Sequence, residues 1–202
     1  MRNSRVKEMT LIAIMGALGA VLMMTLHFPI PFMPPFMDFD LAAVPELIGG
    51  FALGPVAAVL IILIKLLIKL AIMGTTSMMT GEIQNFILSC ALVLPAVLIY
   101  QRNKTKNNAL IGMVVGTVVT SLTAIFTNIY IIIPFYVSLM GLSVSDIIAM
   151  CTAVNPLMTD TITLAIFGIV PFNLIKGFAC SAVTFILYKR LSKYIKNFVR
   201  GY

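Results

Sequence analysis

The sequence predicts an all-α integral membrane protein, a six-transmembrane-helix bundle with a short second helix and a proline-rich first extracytoplasmic loop. Three observations carry that prediction. First, 60% of the 202 residues are hydrophobic, only 10% are charged, and the mean hydropathy is +1.07. A soluble domain carries about 25% charged residues, so this chain lacks the side chains to cover itself with a water-facing surface. Second, the apolar residues fall in long runs, most of them near the roughly 20 residues that cross a bilayer as a helix. Third, Lys and Arg cluster in alternate connections. The net charge of +7 would point to nucleic acid in a soluble protein. Here the placement of the charges matters more, and neither a nucleic-acid-binding domain nor an ordinary soluble enzyme fits.

The first span is expected over 9–27, behind the basic arm MRNSRVKE. No convincing small-x-small cleavage site follows, which marks a retained helix and not a signal peptide. The loop 28–40 has four prolines between Pro29 and Pro35. Proline removes amide donors and blocks helix, so this is an ordered, non-helical, unusually apolar loop that lies against the membrane surface or a cavity. The second helix, 41–53, is short and ends at Gly54-Pro55, a natural break. Further spans follow over 55–73, 82–100, 108–139 and 156–190, with a short segment near 144–153 before the last. The single membrane domain thus covers 1–202.

Orientation follows from the basic residues. Arg2, Arg5 and Lys7, then Arg102, Lys104 and Lys106, then Lys189, Arg190, Lys193, Lys196 and Arg200 fall on one side of a six-span chain. The opposite loops, 27–40, 74–81 and 139–155, contain no Lys or Arg. Both termini are expected in the cytoplasm.

Three lysines lie inside predicted spans. A charge at that depth costs roughly 2.5–3.5 kcal/mol even on a lenient insertion scale, so each needs a reason. Lys65 and Lys69 share one helix face. They either pair with Glu46, Glu82 or Asp40, or line a substrate path. Lys176 and Asn173, in PFNLIKG, are three residues apart and point into one cavity. Asn128 is another amide at membrane depth. Two amides and an ammonium suit a neutral, polyhydroxylated or heteroaromatic ligand. On the first helix, Ala13, Gly16, Ala17 and Ala20 form a stripe of small side chains that admits another helix, from this chain or from another subunit.

Cys90, Cys151 and Cys180 form no CxxC pair and read as small buried hydrophobes. No P-loop, HExxH or GxSxG motif is present, and no carboxylate cluster suits a metal. His27, the only histidine, reads as an interfacial residue. The chain therefore reads as a solute binder and not an enzyme.

The segments MPPFMDFDLAAVPELIGGFALGPVAAVLIILIK (33–65), GEIQNF (81–86), LVLPAVLIY (92–100) and PFNLIKG (171–177) together resemble the riboflavin-specific substrate-binding subunit, or S component, of energy-coupling-factor (ECF) vitamin transporters. The resemblance spans nearly the whole chain. It implies an S-component fold that binds riboflavin near the extracytoplasmic side of a bacterial-type cell membrane, with the loop 28–40 as a lid. It implies a transmembrane coupling subunit and two cytoplasmic ATPase subunits as partners, which would account for the missing nucleotide motif. It also implies transport by toppling of the whole subunit in the bilayer. Riboflavin would be the transported ligand, with flavin mononucleotide the alternative and no resident cofactor. Binding residues carried over are Asn128, Asn173 and Lys176, then Phe36, Asp40 and Leu41 in the loop, and Asn85. The stripe Ala13, Gly16, Ala17, Ala20 becomes the partner interface. The rival readings are a stand-alone permease for another small neutral solute and an S component for a different vitamin.

Overall fold

Nothing in Asn3 to Glu8 breaks a helix, and the basic arm joins the first span. In the computed structural model, which describes residues 2–75, 77–141 and 143–200, α1 runs Arg2–Thr25, so the helix starts well before residue 9. The side chains of Arg2, Lys189, Arg190, Lys193, Lys196 and Arg200, on which part of the charge asymmetry rests, lie outside the described residues. Beyond α1 the prolines prevent helix. The loop instead closes as a small hairpin, β1 (Phe28–Pro29) antiparallel to β2 (Asp38–Phe39), with the Phe28 and Phe39 rings 5.1 Å apart.

Helix α2 (Ala43–Leu53) stops at Gly54, whose φ of 107° suits glycine, and Pro55 opens α3 (Pro55–Met73) in the first turn, where its missing amide costs nothing. After α4 (Thr80–Arg102) and α5 (Lys106–Thr127), a π-helical turn (Asn128–Ile132) leads into α6 (Ile133–Met140). Then come α7 (Val144–Val154), α8 (Thr161–Leu164), a second π-helical turn (Ala165–Ile169) and α9 (Val170–Arg200). The last span thus starts at Thr161 and not at Pro156. Asp160 sets that start, its carboxylate accepting from the amides of Ile162 and Thr163 at 2.7 and 2.9 Å.

Among the described residues, five stretches are long and apolar enough to cross a membrane: Arg5–Thr25, Pro55–Met73, Thr80–Arg102, Lys106–Leu139 and Thr161–Tyr188. The short α2 is the sixth member of the bundle. Its residues Ala43 to Phe51 are all buried, and it is packed by α1, α3, α4 and α9. Wrapped in protein, it meets little lipid and needs no full span. Outside, residues such as Leu67, Leu98, Leu122 and Ile186 are exposed, as a lipid-facing surface requires.

In lipid, helices associate mainly by close packing. Gly112 and Gly116, four apart on α5, provide it. A Cβ on either would meet the α4 backbone, 2.6 Å from the Ala96 carbonyl oxygen or 2.2 Å from that of Leu92. The small-residue stripe on α1 is divided by the structure. Gly16 is filled by α3, where a Cβ would lie 2.5 Å from an Ile64 methyl, and Ala20 is fully buried. Those two residues serve packing within the chain and are withdrawn from the expected partner interface. Ala13 is exposed and Ala17 half-buried.

Among the described residues, two of three apolar clusters flank the candidate site, the third being a small one of Ile12, Ala57 and Ile61 between α1 and α3. One surrounds α2 through Leu47, Phe51, Ile62, Val93, Val97 and Met113. The other joins Ala124, Ile133, Ile147, Cys151, Met158 and Ile169 towards the opposite end. The candidate site lies between them: Ala43 and Leu92 on its wall belong to the first, and Met37 and Leu88 pack against the second.

Candidate functional site

Each of the three lysines inside the spans has a carboxylate partner, because an unpaired charge at that depth is costly. Lys65 Nζ lies 2.6 Å from Glu46 Oε1, with both side chains essentially inaccessible. It also donates to Asn85 Oδ1 at 2.7 Å and Ser89 Oγ at 3.1 Å, which uses all three of its protons. Lys69 pairs with Glu82 at 2.5 Å and caps the Gly74 carbonyl at 3.1 Å. Lys176 pairs with Asp40 Oδ2 at 2.7 Å and reaches the Asp38 carbonyl at 3.3 Å. Burial pushes the Asp40 carboxyl up, but the Lys176 ammonium outweighs it, aided by Lys65 and the Ala42 amide, and holds it below the ordinary carboxylate range.

Two prolines shape the walls. Pro134 and Pro171 supply no amide to the helical ladder, and each lies two residues beyond a π-helical turn. There the bonding slips to five residues, Ile133 N–H to the Asn128 carbonyl and Val170 N–H to the Ala165 carbonyl. Such widened turns are frequent at functional sites. Both predicted amides sit beside them. Asn128 Nδ2 donates to the Ala124 carbonyl at 2.7 Å, and Asn173 Nδ2 to the Ile169 carbonyl at 2.8 Å. A carbonyl can only accept, so the polarity of both amides is fixed. Each keeps Oδ1 as an acceptor and one N–H in reserve.

These groups line a cavity of about 180 Å³. Its α4 wall carries Gln84, Asn85, Leu88, Ser89 and Leu92; the α5–α6 wall carries Thr120, Asn128, Ile132 and Tyr136. Phe172, Asn173, Lys176 and Gly177 come from α9, and Phe36, Met37 and Asp38 come from the loop. An outer vestibule of about 720 Å³ adjoins it and shares Phe36, Asp38, Asn85, Tyr136 and Lys176. The structure thus gathers Phe36, Asn85, Asn128, Asn173 and Lys176 around one space. Asp40 lies on the vestibule side and holds Lys176. Leu41 packs against the core around α2 and does not line the cavity, because the Asx turn at Asp40, closed by the Ala42 amide at 2.9 Å, turns the chain into α2 there.

Sequence reasoning missed Gln84, Ser89, Thr120 and Tyr136. A signal existed for the first two, which with Asn85 extend the polar start of α4, Thr80 and Glu82, into the apolar part of the helix. Gln84 is the most unusual, since its Oε1 and Nε2 are both buried without a hydrogen-bond partner.

The loop is fastened over this space at several points. Lys176 holds its C-terminal end, the Cys180 thiol meets the Asp40 carbonyl at 3.6 Å, and Asn155 Nδ2 donates to the Phe32 carbonyl at 3.3 Å. Gly168 leaves room for Pro34, whose ring carbon would lie 2.9 Å from a Cβ. The result is a mostly apolar chamber with a few fixed polar groups, the usual form of a small-molecule site. No nucleophile and base are paired among its described residues, so the arrangement can hold a ligand but offers no covalent chemistry.

Residues 7–188 match the family described as ECF transporter, substrate-specific component. The chain is 29% identical over 192 residues to the riboflavin transporter RibU of Staphylococcus aureus (strain TCH60), covering 95% of this chain and 93% of that protein. It is 25% identical over 196 residues to the riboflavin transporter FmnP of Bacillus subtilis (strain 168), covering 96% of each. Its fold superposes, with a TM-score of 0.75 and 28% identity over 95% of this chain and 99% of the other, on a solved structure described as the S component of a bacterial ECF transporter. The chain belongs to the family of substrate-specific components of ECF transporters. It is a multi-pass membrane protein and a transport component, not an enzyme.

Proposed function

We propose that this chain captures riboflavin and delivers it as the substrate-specific subunit of an ATP-driven ECF vitamin transporter. The observation that carries the reading is the convergence of Asn85, Asn128, Asn173 and Lys176 on one apolar chamber beneath the proline-rich loop. The names of the relatives supply the vitamin. Riboflavin is neutral, with an apolar tricycle and a hydroxylated tail. Phe36, Met37, Leu88, Leu92 and Phe172 can cover the tricycle, the methionine adding soft sulfur contacts. The amide oxygens of Asn128 and Asn173, their remaining N–H groups and the Lys176 ammonium can serve the ring edge and the ribityl hydroxyls. The loop 28–40 acts as the lid that excludes water and strengthens those bonds. Lys65, Lys69 and Lys176 are each already matched by a carboxylate. A phosphate would find no unmatched cation among them, which favours riboflavin over flavin mononucleotide.

The lysines and arginines of the N-terminal arm and of the 101–108 connection support a reading in which both termini face the cytoplasm and the chamber opens near the outer face. A transmembrane coupling subunit docks on α1 at Ala13 and Ala17, and two cytoplasmic ATPase subunits drive the cycle. Ala13→Trp with Ala17→Trp is expected to leave riboflavin affinity within about twofold, since neither residue is near the chamber, and to abolish riboflavin uptake by cells; normal uptake would remove α1 as the docking face. For the ligand itself, the purified single chain is expected to show the visible flavin absorbance band after incubation with riboflavin and desalting. A colourless chain that leaves riboflavin fluorescence unquenched would end the riboflavin reading.

A further inference from the structure

Among the polar groups around the chamber, the Gln84 carboxamide alone has a donor and an acceptor both buried and both unpaired. Buried polar groups are almost always hydrogen-bonded, and an exception calls for a missing partner. The neighbours on its helix are already committed. Asn85 turns Oδ1 to Lys65, which can only donate, and Ser89 is shared between Lys65 and Glu46. No side chain in the described residues serves Gln84.

A carboxamide with both ends open is complementary to one kind of partner that satisfies it in a single contact. That partner is a cis –CO–NH– edge, whose N–H meets Oε1 while its carbonyl accepts from Nε2. We propose that Gln84 is a specificity-determining residue that reads a cyclic imide or lactam edge of the ligand by this two-point contact. This rests on the flavin reading above, because the flavin ring has one such edge, N3–H flanked by two carbonyls. The amides of Asn128 and Asn173 and the ammonium of Lys176, on the facing helices, then serve the rest of the molecule. The unpaired amide is what the chain gives up for that selectivity, since a site with buried polar groups rejects ligands that cannot match them.

The test uses the purified full-length chain, riboflavin and N3-methylriboflavin, which lacks the ring N–H. The wild-type chain is expected to bind the methylated flavin at least tenfold more weakly than riboflavin. Gln84→Ala, which removes the amide and leaves room for a methyl group, is expected to bind riboflavin about tenfold more weakly and to discriminate less than threefold between the two. Gln84→Met, close in shape but without unpaired polar atoms, is expected to raise the thermal midpoint of the ligand-free chain while weakening riboflavin binding. Undiminished discrimination in Gln84→Ala, or wild-type riboflavin affinity in Gln84→Met, would overturn the assignment with the flavin reading intact. Failure of the wild-type chain to bind either flavin would remove the flavin reading itself.

Discussion

Lys176→Ala is expected to weaken riboflavin binding at least tenfold in fluorescence-quenching titrations. Two effects add. The ammonium has three protons, and the structure uses two, one on Asp40 and one on the Asp38 carbonyl. The third is free to reach the chamber that Lys176 lines. Hydrogen bonds to a charged group contribute about 1.5–3 kcal/mol, and about 1.4 kcal/mol is a factor of ten in affinity. The same residue also fastens the loop. Without it Asp40 keeps a buried carboxylate with no counter-charge beside it, and the lid keeps only the weak Cys180 thiol contact to the Asp40 carbonyl at that point of α9. The double variant Lys176→Ala with Asp40→Asn separates the two contributions. It is expected to recover the thermal midpoint lost by the single change while the affinity stays low. Near-wild-type affinity in Lys176→Ala would contradict the placement of the ligand.

Lys65→Met is expected to be the most destabilising single change in the chain, costing about 3–5 kcal/mol, the range for breaking a buried ion pair by removing one partner. Glu46 is completely buried, and its Oε2 has no partner even with Lys65 in place. Taking the ammonium away strands that carboxylate and also frees Asn85 and Ser89, which line the chamber. The physical account makes a second demand. Replacing both charges, Lys65→Met with Glu46→Leu, removes the desolvation penalty along with the attraction, so most of the stability should return. Thermal unfolding in detergent, followed for both variants, checks this. A single variant as stable as the wild type, or a double variant no better than the single, would show that the pair does not hold α2 to α3.

The two variants also show which layers of the molecule were legible from sequence. Hydropathy located five spans and the short α2, because the bilayer length and the Gly54-Pro55 break are local properties. It also marked Lys65, Lys69 and Lys176 as charges in need of partners. It left three carboxylates to share among them, since pairing depends on how α2 lies between α1, α3, α4 and α9, which no periodicity encodes. Their depth in apolar spans brought Asn128, Asn173 and Lys176 forward, the resemblance carried them over as binding residues, and all three line one chamber. What neither route reached is the direction of the amides. It is set by the carbonyl that each side chain meets one turn back in the folded helix, that of Ala124 for Asn128 and that of Ile169 for Asn173. The stripe on α1 was divided for a related reason. Small side chains mark a close approach, but the helix phase that buries Gly16 against Ile64 and leaves Ala13 outside appears only in the packed bundle. Gln84 escaped notice although its polarity beside Asn85 was a signal, and only the folded chain shows that both of its amide atoms are buried without a partner.

Isothermal titration of riboflavin into the purified, ligand-free single chain, without any other subunit, tests the central claim most directly. The account predicts saturable binding of one flavin per chain at sub-micromolar concentration, lost or strongly weakened in Lys176→Ala and Asn173→Ala. No heat at micromolar riboflavin, or the same isotherm from all three proteins, would contradict it.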